Sequence, residues 1–216
     1  YWVNTRLASP DWVGRSVNLA SYRAVVEGQV IEGLTRNTSG LTFNTATGTL
    51  FTVINRPPQV AELSRDGRLL RLIPIEGAND PEGITHVDGD RYVISDEDSH
   101  SLTWVSIDAS TQRLSLKGQP RLELGIDVVN NASFEGVSWD AVNGRLFVVK
   151  EKLPLRVLVM TGLQEAMAGK GFAVSITEWK SASASTLFMS DLSSLTFHEP
   201  TGHLLLLSDE SAMVVE

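Results

Sequence analysis

At 216 residues the chain has the length of one large domain or two small ones. Its 42% hydrophobic and 20% charged residues, with 17 Gly and 8 Pro, argue against collagen, coiled coil and a disordered tail. A net charge of -8 argues against a nucleic-acid binder and leaves cations, neutral ligands and basic partners open, while the absence of cysteine removes disulfides and thiolate metal sites.

Residues 1–21 read as a lead-in that opens on Tyr1 with no targeting pattern, as expected of a trimmed product. Residues 22–34 (Tyr22-Arg23-Ala24-Val25-Val26, then Gln29-Val30-Ile31) read as a strand pair. From there one pattern recurs four times: an apolar run, a Gly turn and a second apolar run, which is a β-hairpin signature. The first hairpin runs from Gly40-Leu41-Thr42-Phe43-Asn44 through Gly48 to Leu50–Asn55, and the second from Gly83-Ile84-Thr85-His86 through Gly89 to Arg91–Asp96. The third runs from Gly136-Val137-Ser138-Trp139-Asp140 through Gly144 to Leu146–Glu151, and the fourth from Ser194-Leu195-Thr196-Phe197-His198 through Gly202 to Leu204–Asp209. Further strand-like runs separate them: Gln59 to Leu63 with Leu69 to Ile73, Leu102 to Ile107 with Leu114 to Leu116, and Arg156 to Met160 with Phe172 to Glu178. A short helix is expected over Gln164 to Ala168, ending at Gly169. The longest aliphatic run, Leu204 to Leu207, is far short of the roughly 20 residues of a membrane helix.

About four strands per period of roughly 40–60 residues is the pattern of a β-propeller blade. The expected fold is therefore an all-β propeller of four-stranded antiparallel blades, a single domain over residues 22–216. About four blades are present. The fourth breaks off at Glu216, so the expectation is a chain truncated at its C-terminal end, with Tyr22 to Val26 pairing on the last blade.

Within this repeat Asp80-Pro81-Glu82-Gly83-Ile84, Ile94-Ser95-Asp96-Glu97, Phe134-Glu135-Gly136-Val137, Lys150-Glu151-Lys152 and Leu207-Ser208-Asp209-Glu210-Ser211 occur in order. This ordered set resembles the SdiA-regulated (YjiK-type) β-propeller family. The resemblance implies a bacterial cell-envelope protein, its propeller facing the periplasm behind an inner-membrane anchor or signal that this chain lacks. With the blade lengths, it implies five or six blades in the intact protein. It supplies a fold and an address but no reaction.

The repeat also aligns polar residues in columns. Ser39, Glu82, Glu135 and Ser193 begin the first strands, and Asn55, Asp96, Glu151 and Asp209 end the second, followed by Arg56, Glu97, Lys152 and Glu210. Because the second strand of a hairpin runs back, both columns meet on one face, the first at the channel mouth. There Glu82, Glu135, Ser39 and Ser193, with Asn55 beside them, offer the oxygen ligands that Ca²⁺ takes in sixes to eights. They resemble the channel calcium sites of lactonase-like propellers without reproducing their motif. The other reading has Glu82 and Glu135 accepting hydrogen bonds between blades. The second column, Asn55, Arg56, Asp96, Glu97, Glu151, Lys152, Asp209 and Glu210, reads either as a ligand-recognising rim or, where signs alternate, as inter-blade ion pairs.

His86 is expected to pack between blades, and His198 and His203 to be solvated beside a turn. No histidine set has zinc-ligand spacing. Ser181 to Ser185 reads as a flexible loop, the Gly-x-Ser-x-Gly and phosphate-loop patterns are missing, and the sequons at Asn37 and Asn131 carry no weight. Two functional classes remain. One is a non-catalytic propeller that binds a small molecule or envelope protein through an acidic mouth. The other is a calcium-dependent hydrolase of lactonase or phosphoesterase type, with Asp96 or Glu151 activating water. It lacks the His dyad that lactonases use.

Overall fold

The computed structural model describes residues 14–216 except 27, 35–36, 126–133, 152–153, 169, 171–172, 180–186 and 188. Four antiparallel blades form a β-propeller arrangement. Blade I holds β1 (Thr38–Asn44), β2 (Thr49–Asn55), β3 (Pro58–Leu63) and β4 (Leu69–Glu76). Blade II begins with β5 (Pro81–Asp88), β6 (Arg91–Asp96) and β7 (Ser101–Ser106). After β8 (Leu114–Ser115), the chain returns to blade II as its fourth strand, β9 (Arg121–Glu123). Blade III holds β10 (Phe134–Asp140), β11 (Arg145–Lys150), β12 (Arg156–Thr161) and β13 (Ser175–Glu178), with α1 (Leu163–Met167) between the last two. Blade IV holds β14 (Ser194–His198), β15 (His203–Ser208) and β16 (Met213–Val215).

The inner strands pack in an arc, β1 on β5, β5 on β10 and β10 on β14. Two columns explain why neighbours sit so close. A Cβ on Gly40 would stand 2.8 Å from the Glu82 carbonyl oxygen, and one on Gly136 would stand 2.7 Å from Ser194 Cα. Gly83, between them, would drive a Cβ into the Glu135 carbonyl oxygen and Ser95 Oγ. The recurrent Gly is thus a spacing requirement between blades. One turn further along, hydroxyls stitch the blades: Thr42 accepts the His86 N–H at 3.0 Å, Thr85 that of Trp139 at 3.0 Å, and Ser138 that of Phe197 at 2.9 Å.

Apolar side chains fill each junction. Phe51, Val53, Ile73, Ile84 and Ile94 lie between blades I and II, Val93, Leu102, Trp139 and Val148 between II and III, and Phe147, Val149, Leu195 and Leu206 between III and IV. The second-strand residues Val53, Ile94, Val148 and Leu206 are all buried, as the repeat requires.

Three expectations are corrected. Leu114–Ser115 does not pair with β7; it runs parallel to β4, with Ile75 opposite Leu114 and Glu76 opposite Ser115. Leu114 and Leu116 are buried with Ile75 and Ile107, so this segment of blade II covers the outer edge of blade I and leaves the fourth-strand position to β9. Neither Tyr22 to Val26 nor Gln29 to Ile31 forms a strand; Tyr22, Val25 and Val26 are 68%, 89% and 50% exposed. Adjacent valines face opposite sides of any strand, so that segment has no single apolar face to bury. The N-terminal segment nevertheless reaches from blade IV, where the Val17 N–H donates to Glu216 Oε1 at 2.6 Å, to blade I, where Ile31 and Leu34 pack on Ile54 and Leu63. The third correction is His203, half-buried against Glu216, with Nδ1 2.7 Å from its carboxylate. His198 is likewise half-buried, held by Thr201, and His86 lies across Tyr92 of its own blade while its N–H crosses to blade I. The expected serine loop, Asn131 and Phe172 lie outside the described residues.

Candidate metal centre

On the face where β1 and β5 begin and β2 and β6 end, local structure gathers three carboxylates. Pro81 pairs with Asp96, which sets Asp80 beside Glu97, and the Glu97 N–H donates to the Asp80 carbonyl at 2.8 Å. Glu82 lies two residues beyond Asp80, just inside β5. The register shift between Pro81 and Gly83 adds a bulge at Glu82, a device that re-aims side chains. One carboxylate oxygen from each of Asp80, Glu82 and Glu97 lies within 4.8 Å of the others.

Asp96 builds the site without joining it. Its Oδ2 accepts the N–H groups of Asn79 and Asp80 at 2.7 and 3.1 Å, and its Oδ1 accepts the N–H and hydroxyl of Ser99 at 3.0 and 2.5 Å. Buried and committed to four donors, Asp96 fixes the strand entry that carries Asp80. It does not stand on the rim.

Blade I closes the other side. Asn55 Nδ2 donates to Glu82 Oε1 at 2.8 Å, and Arg56 Nη2 donates to Asp80 Oδ2 at 3.2 Å. Burial pushes the Glu82 carboxyl above its usual pKa; hydrogen bonds from Ser39 and Asn55 oppose that shift, and the charges of Asp80 and Glu97 add to it. Three buried side-chain oxygens among the described residues have no hydrogen-bond partner, and two of them, Asn55 Oδ1 and Asp80 Oδ1, belong to this group. Both are acceptors, so a donor or a cation would satisfy them. Asp80 is only 7% exposed, where an unpartnered oxygen is costly. This acidic group can hold a metal ion, and its donors are all oxygen.

The columns read from sequence are therefore only partly gathered. Glu82 accepts hydrogen bonds from Asn55 and Ser39. Glu135, although in the same column, is not a member of the close acidic group, and its main-chain carbonyl accepts Ser95 Oγ at 2.7 Å. Ser193 spends its hydroxyl on the Leu207 carbonyl at 3.3 Å. Arg56 and Glu97 come from the rim set into the cluster; Arg56 makes an inter-blade ion pair with Asp80. Glu151 is half-buried on blade III, and its carbonyl accepts the Leu192 N–H at 3.1 Å. Asp209 and Glu210 are exposed on blade IV, and Lys152 lies outside the described residues. Asp80 is the ligand candidate that the column reading passes over. The visible signal for it is Asp80-Pro81-Glu82, two carboxylates flanking a proline at the strand entry.

The same fold occurs in a chain of the crystal structure of a nidogen/laminin complex, 16% identical with a TM-score of 0.54, covering 79% of this chain and 56% of that one. It also occurs in a streptogramin B lyase structure, 12% identical with a TM-score of 0.50, covering 82% of this chain and 50% of that one. The chain thus spans about half the length of these solved structures, and at such identities the likeness is one of fold. The family model described as SdiA-regulated matches residues 14–216, which take in the four blades and the segment before them, and the chain belongs to the SdiA-regulated family.

Proposed function

We propose that this propeller is a binding module of the bacterial cell envelope that holds a calcium ion at Asp80, Glu82, Glu97 and Asn55 and takes a small molecule or an envelope protein on the same face. The observation that carries the reading is the pair of buried, unpartnered oxygens, Asn55 Oδ1 and Asp80 Oδ1, set in a group of three carboxylates. Three carboxylates against the single guanidinium of Arg56 leave a formal deficit of two charges, which a divalent ion balances. Oxygen-only donors drawn from two blades suit calcium better than zinc.

The envelope address, periplasmic and anchored to the inner membrane, follows from what the family resemblance implies, and the net charge of -8 supports a partner other than nucleic acid. Catalysis would need a general base beside the ion. Asp96, one candidate for that role, has its lone pairs committed to backbone and Ser99 donors, which favours binding over hydrolysis.

Isothermal titration of calcium into chelator-treated protein tests the reading. Saturable binding of one ion is expected, weakened at least tenfold in Asp80→Asn/Glu82→Gln, with no calcium-dependent cleavage of chromogenic esters, lactones or phosphoesters. Absence of calcium binding by the wild type overturns the metal site, and calcium-dependent turnover overturns the non-catalytic module.

A further inference from the structure

We infer that the group this site recognises is a carboxylate, bound with one oxygen on the cation and the other on the guanidinium of Arg56; this rests on the metal reading above. Arg56 follows Asn55 at the end of β2, and its side chain is 74% exposed even though it reaches the buried Asp80. Among the described residues its guanidinium makes one hydrogen bond, to Asp80 Oδ2 at 3.2 Å. Four of its five N–H donors therefore have no partner among the described residues.

The ion is also left incomplete. Asp80, Glu82, Glu97 and Asn55 give four ligand atoms if each binds through one oxygen, whereas calcium takes six to eight. The remaining positions fall to water or to a ligand. Arg56 and the ion share Asp80, so an open coordination position and a fork of free N–H donors lie side by side. A carboxylate matches both, with an oxygen about 2.4 Å from calcium and charge-assisted N–H bonds of about 2.8 Å to arginine.

Charge favours a monoanion over a dianion. With the divalent ion bound, the three carboxylates and Arg56 are formally balanced, and the chain as a whole carries -8. A dianionic phosphate monoester would meet more repulsion at this mouth than a single carboxylate. A neutral ligand would accept from the guanidinium without the charge assistance and the bidentate match that a carboxylate brings.

The experiment follows the line width of ¹³C-carboxyl acetate added to the full chain, with methyl phosphate as the competing probe, in millimolar calcium or in chelator. Calcium affinity is measured on the same samples by calorimetry, and the fold by a melting curve. Calcium-dependent broadening of acetate is expected. It should fall at least tenfold in Arg56→Gln and partly in Arg56→Lys, which keeps the charge but loses the fork, each variant being read at a calcium concentration that saturates it. If calcium itself does not bind, the metal reading fails and this inference with it. If calcium binds but acetate broadens equally in Arg56→Gln, or methyl phosphate binds as tightly as acetate, the metal site stands and the carboxylate assignment is overturned.

Discussion

Gly83→Ala is expected to lower the melting temperature by about 6–12 °C, the shift that a loss of about 3 kcal/mol produces in a domain of this size. The new methyl group would meet the Glu135 carbonyl oxygen and Ser95 Oγ, and would press on Val137 Cγ2 at 3.1 Å. Two of the three obstacles cannot easily rotate away, because one is main chain and the other is the donor of the 2.7 Å bond from Ser95 Oγ to Glu135. Relief requires β5 and β10 to separate, which also strains the Thr85 hydroxyl bond to the Trp139 N–H. Gly125→Ala is the control, since a Cβ there meets nothing within 4 Å and the backbone has an ordinary φ. Thermal melts of the two variants should differ by most of the predicted shift. Equal melting temperatures would mean that the glycine column does not set the blade spacing.

Leu206→Asp should cost about 4–5 kcal/mol, and Leu207→Asp next to it less than about 1 kcal/mol. Leu206 lies opposite Leu195 in the junction between blades III and IV, buried with Phe147, Val149 and Leu192. Leu207 points the other way and is 39% exposed. A carboxylate at residue 206 would be ionised without a partner in a packed apolar layer, whereas one at residue 207 keeps its water. Urea unfolding of the pair tests the register of the last hairpin, and a reversed order of stabilities would show it to be slipped by one residue.

Those two leucines show what was legible in the sequence. Strand alternation, the Gly turns and the repeat fix which side of each hairpin faces a neighbouring blade, because those features are local or recur at a fixed offset. The β4–β8 pairing was not legible. Leu114 and Leu116 are apolar enough to be a strand anywhere, and only the three-dimensional path shows that Ile75 of blade I is their partner. Tyr22 to Val26 misled for the converse reason: high strand propensity without a one-sided apolar pattern gives a sheet nothing to bury.

The site divides in the same way. Columns treat blades as equivalent, so they group Glu82 with Glu135 and with serines around the channel. Side chains instead converge across one junction, where blade II supplies Asp80, Glu82 and Glu97, and blade I supplies Asn55 and Arg56. Asp96 looked like a rim carboxylate because its place in the column matches Asn55, but its burial converts it into the clamp of the strand entry. Sequence registers which carboxylates approach the mouth. It does not register which of them are spent on backbone donors.

The most direct measurement is a thermal melt of the chain in millimolar calcium against the same protein in chelator. Binding to the folded state alone adds about 2.7 kcal/mol at a hundredfold excess over Kd, which corresponds to a rise of about 5–10 °C. That rise should vanish in Asp80→Asn/Glu82→Gln and persist in Glu135→Gln. A wild-type protein that melts at the same temperature in calcium and in chelator would contradict the metal site, as would a rise that depends on Glu135 and survives the loss of Asp80 and Glu82.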